Sequence, residues 1–306
     1  MLVDSVIPQY TKQSSLLPTA TAHPSVAPIP SVIPDLPIYQ EMGHSGLVTL
    51  WAVFVIMLLS TLAFISMAWR VPVEKRVFHI IMTFITAFAT ISYFGMATGG
   101  GATFVHSLAS KCHKHDPSHR LDVFRQVFWA RYVDWSLTTP LLLLNLAFLA
   151  GLNGADIIVA VVADVVMVLT GLLTALGETR VQRWGFYIFS WLAYLVVVYQ
   201  LVVRGRRNAA NRGAGTARIF SSIGGFILIL WTVYPIIWAL GVGKLKLSVD
   251  SEIIWYAVLD VFAKPVFGLW LLATNARSST APTIEGFWSH GLNNEGSLRL
   301  DNDEGA

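Results

Sequence analysis

An all-α bundle of seven membrane-spanning helices is the fold this sequence predicts, and three observations predict it. Of the 306 residues, 55% are hydrophobic and only 13% are charged, whereas a soluble domain carries about 25% charged residues. Apolar stretches of roughly 20 residues, the length that about 30 Å of hydrocarbon requires at about 1.5 Å per residue, recur along the chain. Between them lie short polar segments in which the arginines and lysines concentrate.

Taken in order, the first 45 residues are rich in Pro, Ser, Thr and Ala and hold no apolar run long enough to cross a bilayer. They also lack a basic start followed by an apolar core, so residues 1–45 are expected to be a disordered tail and not a cleaved leader. Spans follow at about 46–70, 77–98, 126–150, 155–175, 184–204, 217–241 and 252–275. Only Gly151 to Ala155 separates the third from the fourth, and a tight helical hairpin explains that gap better than one overlong helix. Residues 276–306 are polar again and form a second expected tail, with a short amphipathic piece around Phe287 and Trp288.

Seven spans put the two tails on opposite sides. Arg70, Lys75 and Arg76 in the first loop and Arg204, Arg206, Arg207 and Arg212 in the fifth lie on one side, and positive loops mark the cytoplasm. An outside N-terminus and a cytoplasmic C-terminal tail are expected, although Lys111, Lys114, Arg180, Arg183, Lys244 and Lys246 on the other side blunt the contrast. The basic residues form no single patch, so nucleic acid is not an expected partner. Cys112 is the only cysteine, which excludes a disulfide framework, and its neighbours His113 and His115 read as a solvated loop with no metal.

Ionisable groups inside a membrane are costly and call for a reason. The third span carries Arg131, Asp134, Thr138, Thr139 and Asn145, the fourth carries Asp164, and the seventh carries Asp260 and Lys264. Asp134 and Thr138 share a helix face, with Arg131 on nearly the same stripe. Asn145 returns to that face about 16 Å further along, which is the layout of a proton or ion path or of a set of interhelical hydrogen bonds. Asp164 is better explained as structure, with Thr139 as its partner. Lys264, one turn beyond Asp260, admits two readings: a buried ion pair, or an amine held for covalent chemistry on a carbonyl compound with its counter-charge in place. Trp135, Trp231, Tyr234 and Trp238 could pack the core or wall a long apolar ligand, and Pro235 permits a kink.

Taken together, these residues resemble a microbial (type 1) rhodopsin, more particularly the fungal branch, similar to bacteriorhodopsin-like proton pumps. The resemblance lies in Arg131-Tyr-Val-Asp134-Trp135-Ser-Leu-Thr138-Thr139-Pro140-Leu-Leu-Leu-Leu-Asn145, in Trp231-Thr-Val-Tyr234-Pro235-Ile-Ile-Trp238, and in Leu259-Asp260-Val-Phe-Ala263-Lys264. It covers all seven spans. It implies all-trans retinal carried as a Schiff base on Lys264, with Asp134 and Asp260 as counterions and Asp134 as the proton acceptor. It places Arg131 and Glu252 on the release side, with Asp250 a looser candidate beside them. Tyr93, Trp135, Thr138, Leu142, Trp231, Tyr234 and Trp238 are implied to line the pocket.

Asn145 departs from the pattern, because proton-pumping relatives usually carry a carboxylic acid there as the internal donor. An amide has no proton to give, and Met82 near it makes that half of the path more apolar still, so slow recovery is expected. Two functions stand, neither of them enzymatic. One is a light-driven outward proton pump with a slow photocycle. The other is a photosensory receptor acting through a signalling partner. The bilayer of a plasma membrane or endomembrane is implied for both, and a homo-oligomer is compatible with the family.

Overall fold

The structure, a computed structural model, describes residues 37–73, 76–110 and 120–277. Among the described residues seven helices are long and apolar enough to cross a membrane: α1 (His44–Trp69), α2 (Val77–Ala97), α3 (Trp129–Ala150), α4 (Gly154–Leu176), α5 (Arg180–Asn211), α6 (Ala214–Gly243) and α7 (Val249–Asn275). Each packs on its neighbour in sequence, and α7 returns to α1, closing a ring. The ring is inside-out relative to a water-soluble protein. Large apolar side chains such as Leu59, Ile91, Ile158 and Ile229 face outward, while Arg131, Asp134, Asp164, Asp260 and Lys264 are buried. That is the arrangement hydrocarbon requires, since a charge is tolerated only where protein groups replace water. Just over half (56%) of the spanning window is buried in α3 and in α7, against 22–39% in the others. These two helices therefore form the centre of the bundle.

The helix boundaries have local causes. Gly151 follows α3 at φ 71 and ψ 44, the left-handed conformation that costs glycine least. Its N–H donates to the Phe148 carbonyl and that of Leu152 reaches back to Ala147 at 3.0 Å, a Schellman ending. Asn153 then caps α4 through the Asp156 N–H at 2.9 Å. The tight hairpin expected from sequence is thus built from one glycine and one cap. α5 starts earlier than the apolar run because Thr179 and Gln182 form a capping box. It also continues past the expected end at residue 204, through a wide turn at Gln200–Gly205 and on to Asn211. Charge ends an apolar run without ending a helix.

A small sheet stands at one end of the all-α bundle. β2 (Thr103–Ser110) and β3 (Arg120–Val127) pair antiparallel, and β1 (Ile38–Gln40) adds parallel to β3, giving the order β1-β3-β2. The sheet lies largely between the expected spans 77–98 and 126–150 and takes in residues 38–40 of the expected tail, so it differs from the all-α expectation. The period-2 signal is present in β3, where Val123, Arg125 and Val127 are all buried and Asp122 is exposed. Met42 N–H donates to Gln126 Oε1 at 2.7 Å, fixing the approach to α1. Residues 1–36, Cys112, His113 and His115, and Phe287 and Trp288, for which the sequence sets expectations, lie outside the described residues.

Gly151 carries a testable load. A Cβ there would lie 2.8 Å from the Arg212 guanidinium, which itself donates to the Phe148 and Leu149 carbonyls. Gly151→Ala is expected to destabilise the fold by about 1–2 kcal/mol from the left-handed backbone alone, read as a lower midpoint of thermal unfolding in detergent.

Candidate functional site

Lys264 lies in a wide turn of α7, Phe262–Val266, followed by Pro265. Proline has no N–H to give the preceding turn, so the helix loosens there instead of closing a normal α-turn. The loosened turn aims the amine at the bundle axis. Lys264 Nζ donates to Asp134 Oδ2 on α3 and, at 3.4 Å, to Asp260 Oδ2 on its own helix. All three side chains are buried. A cation removed from water requires such anions, since its desolvation would otherwise outweigh any packing gain.

The two carboxylates are held differently. Asp260 accepts from Tyr93 Oη at 2.8 Å, from Tyr234 Oη at 2.6 Å and from Trp135 Nε1 at 3.3 Å. Those donors, from α2, α6 and α3, occupy both of its oxygens. Asp134 has only the lysine: its Oδ1 is buried without a hydrogen-bond partner among the described residues, because the Thr138 hydroxyl donates to the Asp134 main-chain oxygen and not to its carboxylate. Protonating Asp260 would sacrifice hydrogen bonds from three side chains, whereas Asp134 is engaged by Lys264 alone among the described side chains.

From Lys264 a cavity runs between α3, α4, α5 and α6. Trp135, Thr138 and Leu142 line it from α3, and Trp231, Tyr234 and Trp238 line it from α6. Tyr187 of α5 stacks on Trp238 at 5.1 Å, and Trp135 meets Tyr234 edge-on at 5.0 Å. An aromatic-walled cavity with a buried amine in its lining fits an apolar molecule joined to that amine. Tyr93, expected on the wall, is not among the lining residues and instead braces Asp260. The far wall, with Met167, Gly171, Tyr187, Ser190, Trp191 and Tyr194, was not singled out from sequence, since such residues in apolar helices read equally well as packing.

The other candidate residues form separate groups. Toward the sheet, Glu252 lies between two guanidiniums: Arg125 at 2.7 Å and Arg131 at 3.6 Å. Arg131 is stacked over Tyr256, 4.4 Å from the ring centre. Asp250 stands apart, its carboxylate accepting the free Gly43 N–H at the start of α1 at 2.7 Å. Arg125 and Tyr256 were missed in the sequence; the alternation in β3 puts Arg125 in phase with Val123 and Val127, but an arginine in that phase does not read as a buried residue. Toward the opposite end, Asn145 is fully buried and its amide donates to Met82 Sδ at 3.2 Å. Thr139 donates to Asp164 at 2.6 Å, the expected tie between α3 and α4.

Comparison with known proteins agrees with this geometry. The family model described as bacteriorhodopsin-like protein matches residues 45–278. Opsin-1 of Neurospora crassa is 48% identical over 280 residues, covering 90% of this chain and 92% of its own. The crystal structure of a light-driven proton pump from Leptosphaeria maculans superposes with a TM-score of 0.76 at 51% identity, over 78% of this chain and 98% of that one. A light-driven proton pump from Coccomyxa subellipsoidea gives 0.70 at 35% identity, over 77% and 99%. This chain is a member of the bacteriorhodopsin-like family of microbial rhodopsins, integral multi-pass membrane proteins that bind retinal as a Schiff base on a lysine.

Proposed function

We propose that this protein is a light-driven outward proton pump with slow recovery, its N-terminus and sheet facing outside and all-trans retinal joined to Lys264. The observation that carries the reading is the asymmetric carboxylate pair. Asp134 is engaged by one side-chain donor, Lys264, beside an Asp260 held by Tyr93, Tyr234 and Trp135 as well. Likeness to two solved light-driven proton pumps supports it.

Bound retinal supplies the absorption of light and a change of shape at the Lys264 nitrogen. The chain's own residues give that change a direction. Asp134 receives the proton, since it is the nearer carboxylate to Lys264 Nζ and no other side chain holds it among the described residues. Asp260, anchored by Tyr93, Tyr234 and Trp135, remains the fixed anion. Arg131 and Glu252 lie between this pair and the sheet, on the route outward.

On the inward side Asn145 cannot donate. Its amide meets Met82, which with Phe64, Leu146, Phe267 and Leu271 belongs to one buried apolar cluster, each no more than 1% exposed. A proton from the inner solvent must cross that packed layer, which sets the slow step. A second reading rests on the same residues: a long-lived photoproduct suits a photosensory receptor that signals through a partner protein.

Three results are expected. Membranes carrying the chain and retinal become coloured, whereas Lys264→Ala membranes stay colourless at equal protein level. Illuminated cells acidify their medium and Asp134→Asn cells do not; a coloured wild type that leaves the pH unchanged would point to the sensor. In flash spectroscopy, Asn145→Asp speeds the return of the visible absorbance by about a hundredfold, the lower end of what a positioned proton donor gives.

A further inference from the structure

The two arginines at the sheet end do different work. Arg131 belongs to α3 and is stacked over Tyr256. Arg125 belongs to β3, and its side chain is 1% exposed. Its guanidinium donates to Glu252 Oε2 at 2.7 Å, to Gln40 Oε1 at 2.7 Å and to the Leu247 carbonyl at 3.0 Å. One buried cation thus joins β1, β3, the α6–α7 connection and the start of α7. Gly241 leaves room for the pair, since a Cβ there would lie 2.6 Å from Glu252 Oε2. Glu252 is shared oxygen by oxygen, Oε2 on Arg125 and Oε1 on Arg131.

The charge count gives this contact a consequence. From Lys264 to the sheet the buried path holds three cations, Lys264, Arg131 and Arg125, and three carboxylates, Asp134, Asp260 and Glu252. With all six ionised, the path is neutral. Without Arg125 it would carry one excess negative charge in a low-dielectric interior, which favours uptake of a proton by one of the carboxylates. Glu252, having just lost its nearer partner, is the group placed to take it.

We infer that Arg125 is a positioning residue for proton release. By holding Glu252 as an ion-paired carboxylate, it denies the resting protein a stored proton at the outer end. The proton that leaves is then the one on Asp134, and it leaves after a delay instead of being replaced at the surface at once by a proton from Glu252. This rests on the reading of Asp134 as acceptor given above.

The test uses the purified full chain with retinal, in lipid nanodiscs under single flashes. The infrared carboxyl band of Asp134 times the proton's arrival, and a pH-indicator dye times its appearance in bulk. In the wild type the dye signal is expected to trail the Asp134 band by about tenfold or more in time, and in Arg125→Gln the two are expected to coincide. Arg125→Lys keeps the lag, and adding Glu252→Gln to Arg125→Gln restores it. Coincident signals in the wild type would overturn the proposal, as would an unchanged lag in a normally coloured Arg125→Gln or early release that survives loss of Glu252. Should Arg125→Gln fail to take up colour, the dark wild type still decides: a protonated-carboxyl band that vanishes in Glu252→Gln contradicts the proposal, and its absence supports it. Failure of cells to acidify their medium would defeat only the pump reading, because the lag is measured on the purified protein.

Discussion

Everything in the bundle's centre answers to one constraint, a lysine ammonium buried in a membrane. Hydrocarbon offers it no hydration, so the fold must supply anions, and it supplies two, from α3 and from α7 itself. Two anions on one cation overshoot, and the excess is handled along the path by Arg131, Glu252 and Arg125 in turn. The hydroxyls of Tyr93 and Tyr234 and the indole N–H of Trp135 are a further consequence, because a buried carboxylate with lone pairs unmet would be nearly as costly as the lysine alone. The wide turn at Phe262–Val266 belongs to the same solution.

The two ends of the path are built from different materials. On the sheet side the interior is wired: Arg131, Glu252 and Arg125 are joined by ion pairs that reach the strands. On the other side it is packed: Asn145 has a methionine sulfur as its hydrogen-bond partner, and that methionine belongs to a cluster of buried apolar side chains. Protons move along chains of polar groups and not through close-packed hydrocarbon. The asymmetry between a wired half and a packed half is itself a directional element, independent of which carboxylate takes the proton first.

Much of this was legible in the sequence because hydrocarbon makes each intramembrane charge conspicuous. Lys264, Asp260, Asp134 and Arg131 stood out against apolar neighbours, and helical spacing alone put Asp260 beside Lys264. The Thr139–Asp164 tie could be named for the same reason. Arg125 could not be found this way. It lies outside the spans, where an arginine is the ordinary solvated residue, and its burial arises only when β1, β3, the α6–α7 connection and α7 converge on it. The alternation Val123, Arg125, Val127 was visible, but with an arginine in the apolar phase it does not read as a buried face. The difference between Asp134 and Asp260 was equally hidden, since it depends on donors from three helices that no spacing in one segment reveals.

That hidden difference changes how the missing donor at Asn145 should be understood. Were the path a simple relay of equivalent carboxyls, replacing one by an amide would break it. Here the carboxylates are not equivalent: Asp260 is fixed by its three donors and Glu252 by its two arginines, which leaves Asp134 as the carboxylate on the path held by Lys264 alone. A path with one mobile site needs its neighbours only to stay ionised and in place. The half of the path toward the sheet keeps that requirement intact, and under the proposed pump reading the amide at Asn145 would alter the time taken to refill the site and not the direction in which it empties.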